Sequence, residues 1–178
     1  MIQIYFFTHG TTTDNEKKIA SGWSNPGLSE LGINRVKELK KITDKYDFDM
    51  VFCSDLDRAE QTAKILFGDN SKIIKDKRLR ECNYGVMEGK STGLLSFGEH
   101  IDIPFKGGES LIDVENRVRD FLSELGNYYK IAIIGHRATQ LALEVILNKL
   151  SWSQAIKSDW RISGSWQPGW IYNKNKEL

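Results

Sequence analysis

The sequence is short of the residues that build metal centres, disulfide frameworks and membrane spans. Among 178 residues there are two cysteines and three histidines. Cys53 and Cys82 lie far apart without C-x-x-C spacing, which excludes a dithiol redox motif and points to free thiols in a reducing compartment. His9, His100 and His136 include no pair at helical ligand spacing, so a zinc site lacks its ligands and none is expected. Met1 to Phe7 has neither the basic segment nor the long apolar core of a signal peptide, so a cytoplasmic setting without membrane attachment is expected. Excess charge is missing too. Lys and Arg number 25 against 24 Asp and Glu, which leaves no basic field for nucleic acid or an anionic membrane. With no repeat, low-complexity tract or linker, residues 1–178 read as one domain.

What is present is an alternation of short apolar runs with amphipathic segments. Ile2 to Phe7 reads as a buried strand that stops at Thr-His-Gly,. Leu31, Val36, Leu39 and Ile42 recur at helical spacing up to about Asp44, and Asp49 to Cys53 reads as a second strand,. A helix over Arg58 to Phe67 presents Ala59, Ala63 and Leu66 on one side, and residues 72–75 follow as a third strand,. Ser110 and Asp113 have capping-box spacing ahead of Leu111, Val114, Val118, Phe121, Leu122 and Leu125,. Ile131 to Ile134 is an apolar strand ending at Gly-His-Arg, Ala138 to Leu150 suits a buried helix, and a last strand falls near Trp170 to Tyr172,. This order predicts an α/β fold, a three-layer α/β/α sandwich around a mostly parallel sheet. Residues 90–108, with Pro104 and several glycines, read as an excursion over the site,.

Ligands collect at the carboxyl ends of parallel strands, and two histidines, His9 and His136, each directly follow an apolar strand,. A neutral imidazole can attack phosphorus and split one hard displacement into two easier ones. Such a step needs cations around the phosphoryl oxygens. Arg58, at a helix start after Ser54-Asp55-Leu56, is a candidate for that clamp,.

Four blocks then resemble the histidine phosphatase superfamily, which includes cofactor-dependent phosphoglycerate mutases, over roughly Ile4 to Leu147. They are Thr8-His9-Gly10-Thr11-Thr12 with Asn15 and Gly22-Trp23; residues 54–62, Ser-Asp-Leu-Asp-Arg-Ala-Glu-Gln-Thr; Leu79-Arg80-Glu81 with Tyr84-Gly85 and Glu88-Gly89; and Gly108-Glu109-Ser110 ahead of Gly135-His136. The resemblance implies that His9 is the nucleophile, that Arg58 and His136 hold phosphoryl oxygens, and that Glu81 is the general acid. It implies phosphate contacts for the polar side chains of Thr12 and Asn15 and a place for Gly22 and Trp23 in the substrate pocket; for the function expected of this chain no cofactor is needed. A carboxyl that donates a proton near neutral pH needs apolar or anionic surroundings, so these are expected around Glu81.

Two positions depart from the pattern. Thr8 stands where the family has its first phosphate-clamping arginine, which removes a charge and a bidentate donor,. Arg137 follows His136 where the family has glycine. We expect Arg137 to reach the space left by Thr8, although a cation in the first turn of a helix is disfavoured by the macrodipole. The function expected is hydrolysis of a small phosphorylated metabolite. A mutase is disfavoured by the short 90–108 segment, and the remaining alternative is a phospho-ligand binding protein without turnover. Trp23, Asn25, Phe97, His100, Phe105 and Lys106 could line an entrance. Trp152, Trp160, Trp166 and Trp170 pack the last strand or make a subunit contact, as in a homodimer.

Overall fold

Strand β1 (Ile2–Thr8) is apolar on both faces, and both are buried in the computed structural model, which describes residues 1–68, 72–163 and 169–175. Ile2, Ile4 and Phe6 enter one core, while Tyr5 and Phe7 enter another, as the two-residue period of a strand requires. Strands β2 (Met50–Cys53) and β4 (Lys130–Gly135) divide the same way, Phe52, Ile131 and Ile133 joining the first core and Val51, Cys53, Ala132 and Ile134 the second. A sheet with no wet face needs helices on both sides.

Helices α2 (Glu30–Thr43) and α3 (Asp57–Phe67) supply one layer, through Val36, Leu39, Ala59, Ala63 and Leu66. Helices α4 (Leu111–Ser123), α5 (Arg137–Leu147) and α6 (Trp152–Lys157) supply the other. The sheet order is β3-β2-β4-β1-β5, with β3 (Ile73–Lys75) and β5 (Gly169–Lys174) at the edges. Every neighbouring pair is parallel except β1 with β5. This is the three-layer α/β/α sandwich that the sequence predicts. The capping box forms as well, the Asp113 carboxylate accepting the Ser110 N–H at 2.8 Å and Ser110 Oγ accepting the Asp113 N–H at 3.1 Å.

The face of α2 differs from expectation. Leu31 and Ile42 are exposed, and the buried stripe is Gly32, Val36, Leu39 and Thr43. Its cause lies at Gly32, where a Cβ would collide with the carbonyl oxygen of Thr11. Without that Cβ the helix lies directly against the loop after β1. Short helices α1 (Thr13–Glu16) and α7 (Trp160–Ser163) were not legible in the sequence, being too short for a period,.

Of the expected entrance residues Lys106 is exposed, and the others are used otherwise. Phe97 and Phe105 are buried around Tyr84, His100 stacks on Phe105 at 3.7 Å, and Asn25 Oδ1 accepts the Asp57 N–H at 2.8 Å, capping α3. Among the tail tryptophans, Trp152 donates its Nε1–H to Glu115 at 2.7 Å and Trp170 meets Phe6 edge-on. Trp166 lies outside the described residues.

Candidate active site

The two strand-end histidines become neighbours because β1 and β4 are adjacent. Thr8 is paired with Gly135, so the next residue of each strand, His9 and His136, must fall side by side at the carboxyl edge,. Their ring centroids are 5.0 Å apart, and the His9 N–H donates to the Gly135 carbonyl at 3.0 Å. His9 Nδ1 lies 2.7 Å from the carbonyl oxygen of Gly10. A carbonyl only accepts, so Nδ1 carries the proton and the lone pair of the neutral ring is on Nε2.

The loop that holds His9 is fixed from α3. Thr62 Oγ1 accepts the Gly10 N–H at 2.9 Å and donates to the Arg58 carbonyl at 2.7 Å. Gly10 also sits where a Cβ would approach Val36 Cγ2 to 2.6 Å. Arg58, itself 2% exposed, donates to the carbonyls of Ser24 at 2.8 Å and Gly22 at 2.7 Å. Gly22 has φ of +51°, and a Cβ there would run into Glu88, so the turn that presents its carbonyl to Arg58 needs glycine.

Glu81 reaches the start of α5. Its Oε1 accepts from the Cys82 N–H at 2.9 Å and the Ala138 N–H at 3.0 Å, and its Oε2 accepts from the Arg137 N–H at 3.1 Å. His136, the N-cap residue, makes no side-chain cap bond, so the carboxyl of Glu81 satisfies amides that the helix leaves open. This corrects the expected surroundings: backbone donors meet the carboxyl rather than an apolar or anionic wall. The backbone of the segment is held by Arg117, which donates to the carbonyls of Arg78 and Arg80 at 2.7 Å and of Glu81 at 3.0 Å.

These groups surround a cavity of about 510 Å³ whose walls include Thr8, His9, Asn15, Gly22, Arg58, Glu81 and Arg137. His136 is wholly enclosed and does not line it, yet neither of its ring nitrogens has a partner among the described residues. Two expected wall residues are elsewhere. Thr12 is buried as the N-cap of α1, its Oγ1 accepting the Asn15 N–H at 3.1 Å while its own N–H goes to Asn15 Oδ1 at 3.0 Å. Asn15 therefore keeps only its amide Nδ2 for a ligand. Trp23 donates its Nε1–H to the Glu81 carbonyl at 2.7 Å and lies beneath the Arg80 guanidinium, bracing the loop rather than lining the cavity. Arg137 lines the cavity, and its Nε is bound to Asp159 at 2.6 Å.

Burial, with the charge of Arg58 and then that of Arg161, lowers the pKa of His9 to about 3. His136 is held well below its ordinary range by burial, then by Arg58 and His9. Both imidazoles are therefore neutral near pH 7. The cysteines remain thiols, Cys53 being pushed up to about 12 chiefly by burial.

A stability prediction follows. Unfolded histidines protonate near 6.5, whereas folded His9 stays neutral down to about 3, so the unfolded state takes up protons first and stability falls as pH drops through that window,. Between about pH 7.5 and about pH 5 the loss from His9 is expected to reach up to about 2 kcal/mol. Urea unfolding at both values should show the loss reduced in His9→Ala; an equal loss in the two proteins would mean that His9 is not the group that titrates.

The fold and the cavity define a class, an α/β protein with paired neutral histidines and a buried arginine at one strand-end crevice. The chain belongs to the histidine phosphatase superfamily (branch 1), whose family model matches residues 4–161. It is 34% identical over 170 residues to a 2,3-bisphosphoglycerate-dependent phosphoglycerate mutase of Rhizobium meliloti, covering 84% of this chain and 81% of that one. Among solved structures it resembles a mycobacterial glucosyl-3-phosphoglycerate phosphatase, with TM-score 0.76 and 25% identity over 86% of this chain and 82% of the other. An alpha-ribazole phosphatase from Shigella flexneri shares the fold, with TM-score 0.78 and 24% identity over 88% and 84% of the two chains. Among the described residues no helix is long and apolar enough to cross a membrane.

Proposed function

We propose that the chain hydrolyses small phosphomonoesters through a phosphohistidine on His9. The Nε2 lone pair attacks phosphorus, the bond to the leaving oxygen breaks, and that oxygen takes a proton from Glu81. The Oε2 of Glu81 accepts one N–H and has a second position to carry the proton, although its neighbours are backbone donors,. Water then attacks phosphorus and returns one proton to the Glu81 carboxylate, the P–N bond breaks with its electron pair going back to Nε2, and phosphate leaves with His9 neutral and Glu81 protonated again. The observation that carries this reading is the His9 ring, with Nδ1 on Gly10, neutral beside His136 and facing the cavity that Arg58 also lines. In this proposal Arg58 holds phosphoryl oxygens, with help from Asn15, Thr8 and Arg137. His136, enclosed beside His9 with both ring nitrogens unpartnered among the described residues, would reach them only once the bound phosphoryl group opens the space next to His9. The segment 90–108 supports hydrolysis over mutase chemistry, because Phe97 and Phe105 are committed to the core and only Thr92 and Leu95 of this segment line the cavity. That leaves little chain to seal a phosphoenzyme from water.

A mutase is the second reading, favoured by the identity to the Rhizobium protein. The two are separated by assaying p-nitrophenyl phosphate and a panel of phosphomonoesters with EDTA present, beside interconversion of 3- and 2-phosphoglycerate primed with 2,3-bisphosphoglycerate. Hydrolysis without interconversion supports the first reading; efficient interconversion with little hydrolysis supports the second; neither leaves a phosphate-binding protein.

Glu81→Gln tests the acid. Hydrolysis of an alkyl phosphate, whose leaving oxygen needs a proton, should fall about 10²- to 10⁴-fold, and p-nitrophenyl phosphate by less than about tenfold. Equal losses on both substrates would assign Glu81 to holding α5 alone.

A further inference from the structure

Asp159 is a carboxylate with no exposed side-chain surface, and two guanidinium groups converge on it. Its Oδ2 accepts from Arg137 Nε at 2.6 Å, and its Oδ1 accepts from Arg161 Nη1 at 2.8 Å and from the Arg161 backbone N–H at 3.1 Å. Each guanidinium also lies over an aromatic ring, Arg137 over Phe97 at 4.3 Å and Arg161 over Trp160 at 4.7 Å. Clamped at one edge and stacked on one face, each planar group has a fixed orientation.

One carboxylate neutralises one of the two charges, so the cluster carries a net positive charge. Both arginines line the cavity together with Thr8 and His9. Apart from these contacts, the remaining guanidinium donors of Arg161 have no partner among the described residues.

The structure assigns to Arg161, held in place by Asp159, the phosphoryl-binding charge that Thr8 cannot supply. Arg161 lines the same cavity as His9 and Thr8, and its charge, after that of Arg58, acts on the His9 ring. Arg137 shares the same carboxylate and completes the clamp, so the expected replacement for the missing arginine is a pair anchored on a buried acid. The ligand is a phosphoryl group, free or esterified. For turnover the assignment rests on the phosphohistidine reading, but for binding it does not.

The test is calorimetric titration with inorganic phosphate of wild type, Arg161→Gln, Thr8→Arg and the double variant, with hydrolysis of p-nitrophenyl phosphate measured in parallel. Arg161→Gln keeps an amide for Asp159 and should weaken phosphate binding about tenfold or more. Thr8→Arg should restore most of that loss in the Arg161→Gln background and gain much less in wild type. A merely structural Arg161 would show no such coupling.

Phosphate affinity of Arg161→Gln within about twofold of wild type, or an equal gain from Thr8→Arg in both backgrounds, would overturn the assignment. So would a wild-type protein that binds no phosphate. If Arg161→Gln does not fold, the Thr8→Arg single variant decides: a gain near 100-fold contradicts a site already supplied with its charge, and a gain of a fewfold or less supports it. Absent hydrolysis with Arg161-dependent phosphate binding would remove the phosphatase reading and leave this assignment standing.

Discussion

His9→Ala is expected to lower kcat/KM for p-nitrophenyl phosphate by at least about 10⁴-fold, since removal of a covalent nucleophile takes the whole two-step route with it. The geometry leaves no substitute. His136 is enclosed beside His9 and does not line the cavity. Cys53 and Cys82 are buried thiols whose pKa values are raised, in both cases chiefly by burial. The tautomer of His9 depends on the Gly10 carbonyl alone, while Thr62 holds the Gly10 N–H. His9→Ala leaves that backbone bond in place, so circular dichroism and the urea midpoint near pH 7.5 should stay close to wild type. Steady-state kinetics on both proteins check the result.

Arg58→Ala has the second largest expected effect, about 10³-fold in kcat/KM, with a weaker fold besides. Part of the guanidinium is bonded to the Gly22 and Ser24 carbonyls, and under the proposed mechanism the part that lines the cavity holds phosphoryl oxygens. Losing a charge-assisted donor to the transition state costs about 3 to 4 kcal/mol, and stranding two carbonyls adds about 1–3 kcal/mol of destabilisation each when they stay buried. Arg58→Lys restores the charge but not the fork, so it should recover only a fraction of the rate. Michaelis kinetics and phosphate inhibition measure the first effect, and urea unfolding the second. A fully active Arg58→Ala would remove Arg58 from the phosphoryl site.

The fold was largely legible because its signals are local. Apolar runs of strand length, the Ser110-to-Asp113 cap and the helical periods of α3, α4 and α5 each depend on neighbours in sequence. The face of α2 was not legible, since it is set by a close approach of Gly32 to Thr11, a tertiary contact. At the site, the residues at strand and helix starts, His9, Arg58 and His136, could be found from position. Their adjacency is implied by the family resemblance but not fixed by position alone, because it depends on β4 being inserted between β1 and β2.

Thr12 and Trp23 show the opposite limit. Both are polar or amphipathic residues in the blocks that carry the family resemblance, but one is used as a helix cap and the other as a loop brace. Thr62 and Arg117 carried a signal that went unused: each interrupts an apolar stripe, Thr62 between Ala59 and Ala63 and Arg117 between Val114 and Phe121. A polar side chain at a core-facing position needs a buried partner, and both find backbone groups of the site. Asp159 and Arg161 carried none, since a two-residue acid–base spacing in a tail is ordinary until Arg161 is seen at the cavity, held by the buried Asp159.

The most direct test of the account is to trap the covalent intermediate. Wild type and His9→Ala would be mixed with phosphate-labelled p-nitrophenyl phosphate, quenched in alkali on the millisecond scale and examined for protein-bound label. The account predicts label in wild type alone, stable to base, lost in acid and located by mass spectrometry on His9. Label on another residue, or equal turnover by His9→Ala without any bound label, would contradict it.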